Sequence, residues 1–407
     1  MNYKIIEGGV TAAKGFLASG LHCGLKKDAK KKDLALIYSE STCTAAGMYT
    51  FNKVKGAPIA VCKEHLKNSK AQAVIINSGN ANTCNGDDGL TKARKMTESA
   101  AESLKISADD VLVASTGVIG VPLNIDLITS SVSSLAKNLS KDGRKDACEA
   151  IMTTDTFGKE CAVEFTIGGK TVTIGAMCKG SGMIEPNMCT MLSFITTDIS
   201  ITEELLKDAL KESVDISYNR ISVDGDTSTN DTVLILANGM SESPLISSKN
   251  DDYKTFVEAL KFVNVSLAKK MARDGEGATK LIECKIIGAK DEETGVILAK
   301  SVIKSSLVKT AVFGSDANWG RILCALGYAG PDFDPEKVNV YFESNKGSIL
   351  VCKDGSSVPF DEDKAKEILL EEEILIKVEL NQGDYTVSAY GCDLTYDYVK
   401  INGDYRS

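Results

Sequence analysis

The sequence predicts a mixed α/β protein that is divided into two domains. Its 407 residues exceed what one ordinary compact core holds. In the first part of the chain, short apolar runs that end in turn-forming residues alternate with longer segments of helical periodicity. From about residue 284 the strand-like runs flank an acidic helical segment instead. We therefore expect the domains to cover residues 1–283 and 284–407.

Two apolar runs in the first part are predicted to be buried strands that deliver loops. Residues 73–76 end at the turn 77–80, and residues 111–114 end at Ser115-Thr116-Gly117. Both runs are short and are closed by Gly, Asn or Ser, as expected where a strand meets a loop. Further strands are predicted at residues 338–342 and 385–389.

Four segments are predicted to be helices. Residues 91–104 contain no Gly or Pro and are rich in Ala, Lys, Glu and Met. Thr202 is a candidate N-cap for a helix with one apolar face. Apolar residues in 256–271 recur at intervals of three and four before a glycine-rich stop. The fourth segment is the acidic stretch 361–373.

Composition excludes several classes of partner. The formal net charge of −9 argues against nucleic acid, because phosphate binding needs clustered Lys and Arg. No apolar run approaches the length of a membrane helix, and the N-terminal residues lack the apolar segment of a signal peptide. We therefore expect a cytoplasmic protein that binds neither nucleic acid nor membrane.

Cysteine and histidine usage restricts the chemistry. None of the twelve cysteines forms a Cys-x-x-Cys pair, which favours free, buried thiols over a metal site or disulfides. The only histidines are His22 and His65. With so few imidazoles, a Ser-His-Asp triad or a histidine-rich metal site is disfavoured, and an enzyme would need another base.

The stretch 179–198 is the most informative one for chemistry. A glycine-rich turn and a proline lead into Cys189-Thr190, and an apolar strand-like run follows. If the bond before Thr190 were cut, its hydroxyl and its new α-amino group would form a nucleophile and base within one residue. Composition alone favours an ordinary strand threonine at this position. Cys189 is a weaker nucleophile candidate, because no neighbour would lower its pKa.

This stretch resembles the processing site of the ornithine acetyltransferases, also called glutamate N-acetyltransferases. In that family the pattern is Lys-Gly-x-Gly-Met-x-x-Pro-x-x-Ala-Thr-Met-Leu, and its threonine is the nucleophile. The resemblance covers nearly the whole chain, and the present sequence has Cys189 where the family usually has alanine. The other matching segments are 8–16, 77–82, 115–120, 224–231, 315–321 and 402–407.

The resemblance implies a particular fold and assembly. The expected fold is an αββα sandwich core of the self-processing, N-terminal-nucleophile-like type, with a smaller C-terminal α/β domain. Cleavage between Cys189 and Thr190 would give an α chain, 1–189, and a β chain, 190–407. The resemblance further implies a heterotetramer with two copies of each chain.

The resemblance also implies an activity and its residues. The enzyme would be an acyltransferase of arginine biosynthesis that moves acetyl from N2-acetyl-L-ornithine to L-glutamate by a ping-pong mechanism through acetyl-Thr190. Thr116, through its hydroxyl, and Gly117, through its N–H, would form the oxyanion hole. No metal or other cofactor is implied, and the use of acetyl-CoA as a second acetyl donor stays open. The substrate-binding positions would be Thr153, Lys179, Thr190, Glu276, Asn402 and Ser407.

Several residues have simpler interpretations. Thr116-Gly117 is also typical of a strand-ending turn, Lys179 of a solvated lysine, and the tail of a frayed terminus. The choice among the threonines in 153–156 is open. Residues 224–231 are predicted to be a hydrogen-bonded loop, and Trp319 to be a packing residue. Two other functions compete: a self-processing aminopeptidase or amidase of related fold, and a non-catalytic protein that binds amino acids.

Overall fold

The computed structural model describes residues 3–185 and 191–404. Three predicted site residues, Cys189, Thr190 and Ser407, lie outside this range. The cleavage bond, the nucleophile and one substrate contact therefore remain predictions from the sequence.

Sixteen strands lie within the described residues. They are β1 (Tyr3–Ile6), β2 (Phe16–Leu21), β3 (Leu34–Tyr49), β4 (Lys70–Asn80), β5 (Val111–Val118), β6 (Lys159–Ile167), β7 (Lys170–Lys179), β8 (Leu192–Thr197), β9 (Ile221–Ser222), β10 (Thr232–Ala237), β11 (Leu281–Ala289), β12 (Asn339–Ser344), β13 (Gly347–Lys353), β14 (Ser356–Ser357), β15 (Glu373–Glu379) and β16 (Tyr385–Cys392).

Eleven α-helices lie within the same residues. They are α1 (Ala57–His65), α2 (Gly86–Leu104), α3 (Ile125–Lys137), α4 (Arg144–Ile151), α5 (Glu203–Asp215), α6 (Asp251–Arg273), α7 (Glu292–Lys304), α8 (Ser306–Phe313), α9 (Trp319–Gly327), α10 (Glu362–Leu369) and α11 (Tyr396–Asp404). Short 3-10 turns occur at Leu66–Asn68, Ala108–Asp110, Tyr218–Arg220 and Pro335–Lys337.

The first sheet has nine strands in the order β1-β6-β7-β8-β10-β3-β4-β5, with β2 also paired to β3. The pairs β8–β10 and β4–β5 are parallel, and the remaining pairs are antiparallel. The long strand β3 belongs to both parts of this sheet. Its first half pairs with β2 and β4, its second half pairs with β10, and the register with β4 shifts between Tyr38 and Cys43.

The two parts of this sheet form two layers. Successive residues of β8 point into different cores: Phe194 packs with β3, β4 and β5, whereas Ile195 packs with α5 and α6. Helices α1 to α4 contribute to the core that contains Phe194. Two strand layers therefore lie between two helix layers. This is the αββα sandwich that the resemblance implies.

The second sheet has the order β14-β13-β12-β15-β11-β16-β9, and α7 to α10 contribute to its core. Trp319 packs against this core, as a packing residue should. The expected domain boundary at residue 283 falls inside β11, and the earlier strand β9 already joins this sheet by pairing with β16. In chain order, a strand of the second sheet therefore precedes α6, which belongs to the core of the first sheet.

Most predicted elements are present, but one helix is too long, and the two predicted turns, 77–80 and 115–117, are instead the paired ends of β4 and β5. Residues 91–104 lie in α2, residues 256–271 lie in α6, and Thr202 is the N-cap residue of α5. The predicted acidic helix 361–373 is wrong at its end, because α10 stops at Leu369 and β15 begins at Glu373. The strand prevails there because its alternate residues are buried in the second sheet.

Two further observations concern partners. None of the helices in residues 3–185 and 191–404 is both long and apolar enough to span a lipid bilayer. The same residues contain no group of three or more His, Cys, Asp or Glu side chains arranged to hold a metal ion.

The order of strands predicts that the pieces 1–189 and 190–407 cannot fold apart. Strands β8 and β10 lie between β7 and β3, so the piece 1–189 alone would expose the hydrogen-bonding edges of both neighbours. We expect each piece, expressed alone, to be unfolded or aggregated. Both should regain native secondary structure only when refolded together, as measured by circular dichroism and size-exclusion chromatography. A folded, monomeric 1–189 piece would contradict this.

Candidate active site

Six of the predicted site residues surround one cleft of about 210 Å³. They are Thr116, Gly117, Thr153, Lys179, Glu276 and Asn402. Met191, which directly follows Thr190 in the sequence, also lines the cleft and is buried. The other lining residues are Ala81, Ile119, Thr154, Gly182, Met183, Leu192, Asp224, Asp226, Ser228, Thr229, Asn230, Asp231 and Tyr398.

Thr116 and Gly117 lie at the end of β5, where its backbone approaches that of β4. Gly117 has φ of +133°, and a Cβ added to it would lie 2.3 Å from the carbonyl carbon of Gly79 and 2.5 Å from the nitrogen of Asn80. Any side chain at Gly117 would therefore collide with backbone atoms that cannot rotate away. Glycine is required at this position both for its dihedral angle and for this close approach.

Asn230 holds the ends of β4 and β5 together. Its side-chain nitrogen donates to the carbonyls of Ala81, at 2.5 Å, and Ser115, at 2.8 Å. Its oxygen accepts hydrogen bonds from the hydroxyls of Thr83 and Thr229, which fixes the orientation of the amide. The segment 224–231, expected to be a hydrogen-bonded loop, thus also forms a wall of the cleft.

Lys179 is the last residue of β7 and pairs with Leu192 of β8. Its side chain is buried rather than solvated, and its Nζ lies 3.4 Å from Thr116 Oγ1. Burial lowers the pKa of Lys179, and the nearby carboxylates of Asp155 and Glu276 partly offset that effect. A cation with a weakened hold on its proton therefore faces the predicted oxyanion hole.

The three neighbouring threonines have different surroundings. Thr153 and Thr154 line the cleft, and the backbone N–H of Thr153 donates to Asp155 Oδ2 at 3.0 Å. Thr156 instead donates through its N–H and its hydroxyl to the carboxylate of Asp274. Thr153 and Thr154 therefore border the cleft, and which of the threonines contacts substrate stays a prediction.

A fully buried ion cluster, formed by Asp155, Lys159 and Asp274, lies behind the cleft. Lys159 Nζ lies 2.7 Å from Asp155 Oδ1 and 2.5 Å from Asp274 Oδ2. Burial alone would raise the pKa of Asp155, but the ammonium groups of Lys159 and Lys179 outweigh burial and lower it. Sequence analysis missed this cluster. Its only local signal was the spacing of four residues between Asp155 and Lys159.

Glu276 and Asn402 form a hydrogen bond on the other side of the cleft. The side-chain nitrogen of Asn402, on α11, donates to Glu276 Oε2 at 2.7 Å. The backbone N–H of Glu276 donates to the carbonyl of Ser181 at 2.9 Å. A Cβ added to Gly182 would lie 2.4 Å from the Glu276 carboxylate carbon. The glycine after Ser181 thus leaves room for this carboxylate.

Asp224 connects the segment before residue 186 to α11. Its carboxylate accepts hydrogen bonds from the N–H groups of Met183 and Ile184, at 2.7 and 2.8 Å. The hydroxyl of Tyr398 donates to the same carboxylate at 3.4 Å. Burial raises the pKa of Asp224 despite these bonds. Sequence analysis placed Asp224 in a hydrogen-bonded loop and assigned no role to Tyr398.

Neither histidine belongs to the cleft. His22 Nδ1 contacts the carbonyl of Lys31 and the carboxylate of Asp33, and His65 Nδ1 contacts the carbonyl of Val111. The lining of the described cleft therefore offers lysine, carboxylate, hydroxyl and amide groups, but no imidazole.

Comparison with known proteins gives consistent matches. The ArgJ family model matches residues 17–407. The chain is 51% identical over 404 residues to the arginine biosynthesis bifunctional protein ArgJ of Caldanaerobacter subterraneus subsp. tengcongensis, covering 99% of this chain and 100% of the relative. It is 54% identical over 398 residues to ArgJ 1 of Clostridium acetobutylicum, covering 98% of this chain and 97% of the relative.

A solved structure is also similar. A chain of the arginine biosynthesis bifunctional protein ArgJ from Bacillus halodurans is 44% identical in sequence and superposes with a TM-score of 0.51. The match covers 53% of this chain and 100% of that chain.

Alanine at Gly117 should damage the cleft, whereas alanine at Gly120 should not. Both glycines have positive φ, but a Cβ at Gly120 would meet no atom within 4 Å. The Gly117→Ala variant adds a collision with the backbone, so we expect it to lose about 1–3 kcal/mol more unfolding free energy than Gly120→Ala. Urea denaturation of the two variants measures this difference. Equal stabilities would show that the backbone at Gly79 moves aside freely.

Proposed function

The chain belongs to the ArgJ family, and from this we propose that it transfers acetyl from N2-acetyl-L-ornithine to L-glutamate. It is thus an acyltransferase of arginine biosynthesis, with Thr190 as its proposed nucleophile. The observation that carries the proposed site is the convergence of Thr116, Gly117 and Lys179 on the cleft that Met191 lines.

The proposed reaction has two half-reactions. Thr190 Oγ attacks the acetyl carbonyl of N2-acetyl-L-ornithine, its proton passes to the Thr190 amine, and ornithine leaves with that proton. The amine of L-glutamate then attacks the acetyl-Thr190 ester, the Thr190 Oγ–acyl bond breaks, and the proton lost by that amine passes through the Thr190 amine to Thr190 Oγ as N-acetyl-L-glutamate leaves. An α-amino group has an ordinary pKa of about 8, so a useful fraction is neutral near pH 7 and can act as the base. This route needs no imidazole.

The contact between Lys179 and Thr116 supports the proposed oxyanion hole. Because Lys179 Nζ donates to Thr116 Oγ1, the hydroxyl hydrogen of Thr116 remains available for another acceptor. A tetrahedral oxyanion beside Thr116 would receive that hydrogen and the N–H of Gly117. Donors of this kind are worth on the order of 3 kcal/mol each in the transition state.

Complementary charges support an amino-acid substrate. Lys179 offers a buried cation for a carboxylate, and Glu276, with Asn402, offers a carboxylate for an amino group. These assignments, with Thr153 and Ser407 as further contacts, belong to the proposal. The names of the two relatives described above include the word bifunctional, and on this basis acetyl-CoA is proposed as a second acetyl donor.

The length of the solved relative supports cleavage between Cys189 and Thr190. The full sequences of the relatives match this chain from end to end, but one complete chain of the Bacillus halodurans structure corresponds to only 53% of it. Residues 190–407 make up slightly more than half of the chain, and residues 1–189 slightly less. Two chains of each kind, assembled as a heterotetramer in the cytoplasm, complete the proposal.

Self-cleavage should depend on Thr190 and tolerate alanine at residue 189. Thr190→Ala removes the hydroxyl that would attack the preceding carbonyl, so we expect one uncut, inactive chain. Cys189→Ala should give two fragments, as the natural sequence should. A denaturing gel with intact mass measures both. An uncut natural chain that nevertheless transfers acetyl groups would refute the proposed nucleophile.

The acceptor distinguishes the proposed function from its two rivals. With purified protein and N2-acetyl-L-ornithine, we expect ornithine release to require L-glutamate and to yield N-acetyl-L-glutamate. Release at the same rate without L-glutamate would favour an amidase that uses water. Ligand binding without any turnover would favour a binding protein.

Transfer activity should fall at alkaline pH as Lys179 loses its proton. Lysine is charged below its pKa, and burial holds the pKa of Lys179 below the usual 10.5. If its charge stabilises the oxyanion, activity is retained below that lowered pKa and is lost as pH rises through it. We expect Lys179→Met to lower kcat/KM about 100-fold and to lack this alkaline decline. A pH–rate profile of both proteins is the measurement, and an alkaline decline that persists in the variant would contradict it.

A further inference from the structure

We propose that Lys159 is a positioning residue that, with Asp155 and Asp274, fixes the three segments carrying Thr153, Lys179 and Glu276. The inference deepens the proposed function and rests on it. Lys159 touches neither the cleft nor any predicted catalytic atom, so it would act only through the residues that it holds.

The ammonium group of Lys159 is fully buried and closely surrounded. Its Nζ bridges Asp155 Oδ1 and Asp274 Oδ2, at 2.7 and 2.5 Å. The carbonyl of Phe157 lies 3.5 Å away, and the Phe157 ring centroid lies 5.0 Å away. Burial opposes the charged form, but the two carboxylates outweigh it and raise the pKa of Lys159. The cation is therefore held in place between two elements of the fold.

Asp155 connects Lys159 to the segments of Thr153 and Lys179. Its Oδ2 accepts from the N–H of Thr153 at 3.0 Å, and its Oδ1 accepts from the N–H of Gly180, the residue after Lys179, at 2.7 Å. One carboxylate thus sets the separation of two segments that line the cleft. Its orientation in turn depends on Lys159.

Asp274 connects Lys159 to the segment of Glu276. Its carboxylate accepts from the N–H and hydroxyl of Thr156, and its backbone carbonyl accepts from the hydroxyl of Ser181 at 2.7 Å. Glu276 follows two residues later and donates its N–H to the carbonyl of Ser181. A shift of Asp274 would therefore move Glu276 relative to Lys179.

The cluster contains residues from both sides of the proposed cleavage bond in the sequence. Asp155 and Lys159 precede Cys189, whereas Asp274 follows Thr190. Once the bond is cut, the contact between Lys159 and Asp274 joins two separate chains. Because salt only weakly screens a buried ion pair, this contact would hold the segments from the two chains in fixed relative positions around the cleft.

Stability alone does not explain the cluster well. A buried ion pair is often no more stabilising than apolar residues of similar volume, because both charges lose their hydration. Here the oxygens that do not face Lys159 also accept hydrogen bonds: Asp155 Oδ2 accepts from the N–H of Thr153, and Asp274 Oδ1 accepts from Thr156. That pattern is what a positioning role requires.

The cluster also allows an experiment to distinguish a positioning role of Lys159 from a general loosening of the site. The charged groups that act on Lys179 are Asp155, Lys159, Glu276, Asp231 and Lys26. Removing the positive charge of Lys159 should raise the pKa of Lys179, whereas removing the negative charge of Asp155 should lower it. A merely loosened site would admit water around Lys179 and raise its pKa in both variants.

The experiment compares Lys159→Met and Asp155→Asn with the natural protein. We expect Lys159→Met to raise KM for both substrates and to lower kcat/KM about 100-fold, since small displacements of reacting groups cost that much. We expect the alkaline decline of activity to move to higher pH in Lys159→Met and to lower pH in Asp155→Asn. The matched control is Lys280→Met, because Lys280 is also buried but donates to the carbonyls of Val312 and Leu369, away from the cleft.

Each outcome has a distinct meaning. Unchanged KM and an unchanged alkaline decline in folded, cleaved Lys159→Met would overturn the inference, as would movement to higher pH in both variants. The same loss of kcat/KM in Lys280→Met would also overturn it. If Lys159→Met does not fold, the direction of the shift in Asp155→Asn decides the question. Absence of acetyl transfer by the natural protein would instead refute the proposed function.

Discussion

The cleft depends on the mutual neutralisation of charges that have little access to water. The side chains of Asp155, Lys159, Lys179, Asp274 and Glu276 are all buried in or behind the walls of the cleft. An unpaired buried charge costs so much free energy that such groups must find partners or lose their charge. The positions of the loops around the cleft follow from this requirement, because each carboxylate of the ion cluster also binds backbone N–H groups.

The sheet brings these charges and the groups proposed for acyl transfer to one place. The parallel strands β4 and β5 end beside each other, and Asn230 joins their ends through two carbonyls. Strand β7 ends at Lys179, within reach of Thr116. Helix α11 then closes the other side through Asn402. A rigid backbone at Gly117 and a buried cation at Lys179 are suited to oxyanion stabilisation, since they need little rearrangement during the reaction.

The sequence predicted local elements and motif positions better than it predicted their connections. The apolar start of β5 and the amphipathic helix α6 were recognisable because hydrophobic patterning is a local signal, but β5 continues through the predicted turn at 115–117 by pairing with β4. The end of the acidic helix was wrong, because pairing of β15 with β11 and β12 overrides helical propensity there. The boundary near residue 283 could not show that β9 crosses to the second sheet, since a two-residue strand leaves no pattern.

The resemblance identified residues of the cleft, but the sequence could not show which residues surround them in the fold. Lys159 and Asp274 are more than one hundred residues apart, and nothing in either local sequence indicates that they meet. Lys179 was equally well interpreted as a solvated lysine until its burial and its contact with Thr116 were seen. Gly117 is different, because its need for glycine arises from a backbone on another strand.

The place of β8 in the sheet has a consequence for the timing of maturation. This strand begins two residues after Thr190 and pairs in parallel with β10, which begins forty residues later. During synthesis, the surroundings of the proposed scissile bond therefore stay incomplete until β10 has left the ribosome. Glu276 and Asn402 emerge later still. Cleavage would then occur only in a chain whose first sheet is complete. A prematurely terminated chain would keep the bond before Thr190 intact and could be recognised by it.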